Sequence, residues 1–190
     1  MNNTAGTTTT VVPEGMTAGV WTLDPSHSEV GFSVRHAGIS KVRGHFSEVE
    51  STLHIGDSLE ASSLKATIQA ASFDSRDANR DAHVKGPDFF DVEQFPTLTF
   101  AATGVKADDE DYVLTGDLTI RGITKTVDFE VEYAGTVVDP FGATRSGFSG
   151  KTVISRKEFG LTWNAALEAG GVLVGDKVTI TLDVAFVKAS

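Results

Sequence analysis

From Trp21 to the C-terminus, apolar and polar residues alternate one by one in run after run, bounded by Gly, Asp and Asn. Period two is the mark of a strand with one buried face, because successive side chains of a strand point to opposite sides. In residues 29–36, Val30, Phe32, Val34 and His36 share a face opposite Glu29, Ser33 and Arg35. Leu64, Ala66, Ile68 and Ala70 oppose Lys65, Thr67 and Gln69, and Leu98, Phe100 and Ala102 oppose Thr97, Thr99 and Thr103. Tyr112, Leu114, Gly116, Leu118 and Ile120 form a fourth such face, Val127, Phe129, Val131 and Tyr133 a fifth, and Val178, Ile180, Leu182, Val184 and Phe186 a sixth. With residues 46–55 and 148–159, the pattern predicts about eight antiparallel strands, the usual number for a small closed barrel.

The alternation fails over residues 75–96, where Arg76, Asp77, Asn79, Arg80 and Asp81 precede His83 and Val84. A short helix fits there, ended by Pro87, followed by a second turn carrying Phe89 and Phe90 before Phe95 and Pro96. Residues 1–18 are rich in Thr, Gly and Asn and hold too little apolar surface to offset ordering entropy, so they read as a flexible tail before one domain over 19–190. The acidic run 108–111 reads as a solvated hairpin tip.

Alternation alone allows a two-layer sandwich or a closed barrel. It also allows a filled or a hollow interior. Ala66, Ala70, Ala102 and Gly116 are small residues on inward faces, which leaves room for a ligand; alternatively they interlock with Phe32, Phe100 and Phe129 into a solid core. Phe89, Phe90 and Phe95 lie where a helical insertion could close one end. The apolar connection over 165–174 suits either a lining of the mouth, a transient membrane contact during ligand exchange, or a buried approach to the last strand.

Polar chemistry finds little support. Sixteen Lys and Arg against 26 Asp and Glu give a formal charge of −10, with no local cluster of cations in the sequence, which argues against nucleic-acid partners. There is no Cys, so thiolate metal sites and Cys nucleophiles are excluded. Gly150-Lys151-Thr152 lacks the earlier Gly of a phosphate loop, since Arg145 stands there, and Ser149 lacks the closing Gly of a nucleophile elbow. His27, His36, His45 and His54 recur every nine residues, but His36 and His54 fall on different faces, so no metal site is expected. His27 suits a local bond in the turn after Asp24-Pro25. Without a basic start or an apolar leader run, and without a stretch long enough to span a bilayer, the chain as given reads as cytoplasmic.

Taken in order, several segments resemble the YceI family of polyisoprenoid-binding proteins with a lipocalin-like barrel. They are Trp21-Thr22-Leu23-Asp24-Pro25-Ser26-His27-Ser28, Val30-Gly31-Phe32-Ser33-Val34-Arg35-His36 and Val42-Arg43-Gly44-His45-Phe46, then Asp88-Phe89-Phe90-Asp91 with Phe95-Pro96. Gly116-Asp117-Leu118-Thr119-Ile120-Arg121-Gly122-Ile123-Thr124-Lys125, Ser155-Arg156-Lys157-Glu158-Phe159-Gly160 and Val174-Gly175-Asp176-Lys177-Val178 complete the set. The resemblance implies an all-β, eight-stranded antiparallel lipocalin-like barrel with a short helical insertion and a hollow tunnel. It further implies an isoprenoid-type lipid as bound ligand, whether polyprenyl phosphate or isoprenoid quinone, and a homodimer.

The resulting expectation is a non-catalytic carrier or store for a long-chain amphiphile, with no cofactor other than the bound lipid. Ligand contacts are expected from Phe32, Val34, Phe46, Ile68, Phe100, Leu118, Phe129, Trp163 and Ile180 along the tunnel. Phe89, Phe90 and Phe95 would stand at the end where the chain enters, and His36 would meet the head group. Two alternatives stay open: a ligand-free dimer module, and an enzyme using His36 with a nearby carboxylate on an apolar substrate.

Overall fold

Each alternating run becomes a strand, and the strands close on themselves. The computed structural model describes residues 10–190; the first nine residues of the expected tail lie outside the described residues. In chain order it holds β1 (Gly19–Leu23), β2 (Glu29–His36), β3 (Ser40–Phe46), β4 (Val49–Ile55), β5 (Ser63–Gln69), β6 (Phe73–Asp74), α1 (Ala78–Lys85), β7 (Thr97–Asp108), β8 (Asp111–Ile120), β9 (Ile123–Val138), β10 (Thr144–Ser155) and β11 (Val174–Lys188). The order β1-β4-β5-β7-β8-β9-β10-β11 returns to β1, which makes a closed barrel of eight antiparallel strands rather than a sandwich.

The three remaining strands prolong the wall. β11 pairs β2 from Val174 to Asp183 and β1 from Phe186 to Lys188, so β1 and β2 occupy one position around the ring. β3 continues β4, and β6 continues β5, in the same way. The break between β1 and β2 is a 3-10 turn, Pro25–His27, capped by Asp24, whose carboxylate accepts from the Ser26 backbone N–H at 3.0 Å. β2 and β3 are joined through Ala37 and Gly38, both at positive φ (51° and 72°), the mirror-image turn whose twist matches that of the flanking strands.

The helical insertion falls where the alternation fails. Asp77 caps α1 by accepting from the Arg80 N–H at 3.0 Å, and the helix stops before Gly86 and Pro87. It covers one end of the barrel, which aromatic rings fill: Phe32 stacks on Phe73 at 5.0 Å, Phe46 meets Phe73 and Phe90 at 5.8 Å, and Phe89 packs on Trp163 at 5.5 Å. Beneath this plug Arg156 is 3% exposed, and its guanidinium donates to the carbonyls of Leu161, Trp163, Val174 and Gly175. Burial pushes its pKa down, against the pull of Asp176. The same end holds the connection over 165–174. It folds into a small flap through an Ala166–Val172 bridge, with the Asn164 side chain clamped on both backbone groups of Val174.

At the other end the N-terminal segment is laid against the barrel from Thr10 onward, where the composition led us to expect a tail through residue 18. Thr10 donates its N–H to Glu60 Oε1 at 2.8 Å and accepts from the Leu59 N–H at 3.2 Å. Glu14 accepts from the Tyr133 hydroxyl at 2.8 Å, and Pro13 and Met16 are buried. The strap therefore runs from the β4–β5 loop across to β9.

Candidate functional site

Inside the ring lies a cavity of about 440 Å³, within the range of small-molecule sites. Its walls come from the inward faces predicted by alternation. Phe32, Phe46, Ile68, Phe100, Leu118, Phe129 and Ile180, all named from the sequence, line it together. Val34, His36, Phe89, Phe90, Phe95 and Trp163 do not. Phe89, Phe90 and Trp163 belong to the aromatic plug, and Phe95 lies over Gly122, 3.0 Å from where a β-carbon would stand. Val34 and His36 share the face of Phe32, but β2 runs on past the end of the lumen. His36 makes no side-chain hydrogen bond among the described residues, and no carboxylate lines its groove, so the acid–base pair considered for an enzyme is not assembled.

The four small inward residues separate into different roles. Ala66 and Ala102 line the cavity. Gly116 does not leave space: the ring of Phe100 fills it, 2.3 Å from where a β-carbon would stand, so only Gly is tolerated under that ring. Ala70 is fully buried in the packed core.

The opening is also where sequence reasoning did not place it. The β5–β7 ladder ends at Lys65↔Ala101, and beyond it Ser63, Leu64, Thr103, Gly104 and Val105 line the cavity from separated strands. Glu60, Ser63, Thr103 and Gly104 are exposed lining residues, which locates the mouth between the β4–β5 loop and the β7–β8 hairpin. This is the end opposite Phe89, Phe90 and Phe95. The 165–174 flap takes no part in the lining. Pro13 and Met16 of the strap do, although the Thr-, Gly- and Asn-rich composition of residues 1–18 as a whole led to the expectation of a tail.

The electrostatics of the cavity are one-sided. Among the described residues no Lys, Arg or His lines it, and Glu60 at the mouth is the one carboxylate. Hydrogen bonds from Thr10 hold the Glu60 carboxyl down at about 2, so it is ionised at neutral pH. The acidic tip at 108–111 stands at the end of the β7–β8 hairpin, on the same side of the barrel. On the same end the β9–β10 tip presents Val137, Val138 and Phe141, the last 94% exposed. Asp139 fixes that tip by accepting from the N–H groups of Phe141 (2.8 Å) and Ala143 (3.0 Å), and Arg145 bridges Asp139 to Asp24. Asp24 is held well below the usual carboxylate range by hydrogen bonds from Ser26, His27 and Arg145, against its own burial. His27 bonds Asp24 at 2.8 Å, the local role expected of it.

A family model described as a YceI-like domain matches residues 21–186. The chain belongs to the YceI-like family. Among relatives of this YceI-like chain, the UPF0312 protein of Staphylococcus aureus strain USA300 is 36% identical over 161 residues, 83% of this chain and 91% of the relative. Among solved structures, Burkholderia cenocepacia BcnA superposes with a TM-score of 0.74 at 25% identity, covering 86% of this chain and 98% of that one. The Campylobacter jejuni YCEI protein gives 0.68 at 29% identity, covering 88% and 97%. A polyisoprenoid binding domain from Saccharophagus degradans shares the fold, with a TM-score of 0.66 at 11% identity over 91% of this chain and all of that domain. The family match begins at Trp21, so the strap with Pro13 and Met16 precedes it. No helix among the described residues is long and apolar enough to cross a membrane.

Proposed function

We propose that this chain binds and carries a long isoprenoid-type lipid with an uncharged head, of the prenyl quinone or prenyl alcohol class, rather than a polyprenyl phosphate. The observation that carries the reading is a 440 Å³ lumen walled by aliphatic and aromatic side chains, with no cation along it among the described residues and an ionised carboxylate at its mouth. Burial of the chain supplies affinity at about 25 cal/mol per Å² of apolar area. A phosphate drawn into the same space loses its hydration, finds no positive partner and faces Glu60, which costs several kcal/mol. The polyisoprenoid-binding neighbour from S. degradans is in keeping with such a ligand for this barrel. The ring closes within a single chain.

The test is a comparison of prenyl quinones and polyprenyl phosphates of equal chain length, titrated into the delipidated chain. Saturable quinone binding, with the phosphate at least tenfold weaker, is the expected result. Failure of both lipids to bind overturns the carrier reading, whereas phosphate binding as tight as quinone overturns the head-group assignment alone.

A further inference from the structure

Beyond the aromatic plug, outside the lumen, the barrel carries a second and polar concavity of about 310 Å³. Lys41, Arg43, Arg76 and Arg80 line it together with His36 and Ser75, and among the described residues no carboxylate does. Four permanent cations meeting in one hollow is unexpected on a chain of formal charge −10. In the sequence they lie in two runs, over 35–45 and 76–80, and in the second each Arg is followed by Asp or preceded by acidic neighbours. Strand pairing brings the runs together: β3 meets β6 at His45↔Asp74, and just past the end of β6 Arg76 lines the same hollow as Arg43. Lys41 in turn stands directly across from Arg35.

Like charges on neighbouring strands repel unless something relieves them. The nearby carboxylates are bonded to backbone N–H groups and to Ser75 rather than to the guanidinium or ammonium groups. Asp74 accepts from the Arg76 backbone N–H at 2.8 Å, Asp77 from that of Arg80 at 3.0 Å, and Asp81 from the N–H and hydroxyl of Ser75 at 2.9 and 2.5 Å. None of the ion pairs among the described residues involves the four cations. The walls are nevertheless fixed. Ser75 is 4% exposed, and Arg80 donates from Nε and Nη2 to its hydroxyl and carbonyl, both at 2.8 Å. Arg76 sits at φ 62°, a left-handed backbone that a non-Gly residue adopts at a cost. A held backbone and four cations that line one hollow without an ion pair among the described residues describe a site suited to an anion.

We propose that this pocket binds a phosphate group, supplied either by a soluble phosphate ester or by a lipid head group. It is separate from the lumen and recognises the very group the lumen excludes. The two sources differ in one neighbour: Ile39, 85% exposed on the β2–β3 turn beside the pocket, would enter a lipid surface but has no part in holding a soluble phosphate.

The full chain, isotopically labelled, is titrated with inorganic pyrophosphate at low salt, and in parallel sedimented with phosphatidylcholine vesicles with and without phosphatidylglycerol. Saturable amide shifts over residues 40–43 and 75–80, weakened at least tenfold in the Arg43→Gln/Arg76→Gln variant, are expected. That variant removes repelling charges and should melt no lower than the parent, so loss of binding cannot be put down to unfolding. If vesicle binding requires phosphatidylglycerol and is lost in Ile39→Ser while pyrophosphate shifts persist, the source is a lipid head group; pyrophosphate binding without vesicle binding makes it a soluble phosphate. Absence of both, or binding that the double variant leaves unchanged, overturns the site.

Discussion

Ala66 and Ala70 fall on the same face of one alternating run, yet the lumen treats them oppositely, and substituting each by Leu separates a hollow barrel from a filled one. Ala66 lines the cavity, so Ala66→Leu places three added carbons in empty apolar space. Each ligand carbon they displace forfeits roughly 0.8 kcal/mol of burial, so the ligand loses about 2.4 kcal/mol and its Kd rises about 50-fold. The free protein gains apolar contact and should melt at or above the parent temperature. Ala70 is 0% exposed in the packed core, and Ala70→Leu meets atoms on every side; overpacking should cost it about 1–3 kcal/mol. The assay is a prenyl quinone titration together with calorimetric melting of both variants. If Ala66→Leu lowers the melting temperature as far as Ala70→Leu and leaves quinone affinity unchanged, the lumen is not where the ligand sits and the reasoning fails.

Three further outcomes follow from the same geometry. Arg156→Met leaves the carbonyls of Leu161, Trp163 and Gly175 without their side-chain donor, while Val174 keeps the bond from Asn164; at about 1–3 kcal/mol for each of the three, a melting point lower by on the order of 10 °C or more is expected, and a shift within experimental error would show that water replaces the guanidinium. The depressed carboxyl of Asp24 contributes stability that is fully present above the ordinary carboxylate pKa of about 3.9 and is lost as pH falls. Asp24→Asn should therefore cost about 1–3 kcal/mol near neutral pH, with the difference from the parent narrowing in acid, and a gap independent of pH would refute the linkage. Removing residues 1–16 takes away the Thr10 and Glu14 hydrogen bonds and the buried Pro13 and Met16 at the mouth, so quinone release by stopped flow should quicken about tenfold or more, and an unchanged rate would remove the strap from the exchange path.

What could be read in the sequence divides along a physical line. Alternation is a backbone property of strands, so the wall positions, the break at α1 and the inward faces of Phe32, Phe100, Leu118, Phe129 and Ile180 were legible. Alternation names a face but not a depth. Val34 and His36 share a face with Phe32 and still lie past the end of the lumen. Gly116 reads as free space, although a ring from the neighbouring strand occupies it, because the rotamer of Phe100 is written nowhere near residue 116. The strap was missed for a different reason: what fastens Thr10 and Glu14 is their backbone groups, which composition does not register.

Charge behaves in the same manner, and here the consequence is functional. A sum of −10 predicts repulsion from every anion, but a sum carries no positions. The fold gathers Arg43 and Arg76 in one hollow at the plugged end, while the mouth keeps Glu60 and, on the β7–β8 hairpin, the acidic tip at 108–111. A polyprenyl phosphate approaching this molecule therefore meets repulsion where its chain could enter and attraction where it could not. An uncharged prenyl lipid meets neither. On the two proposals made above, the same distribution that turns phosphate away from the lumen leaves the basic pocket to hold it, and the two sites do not compete.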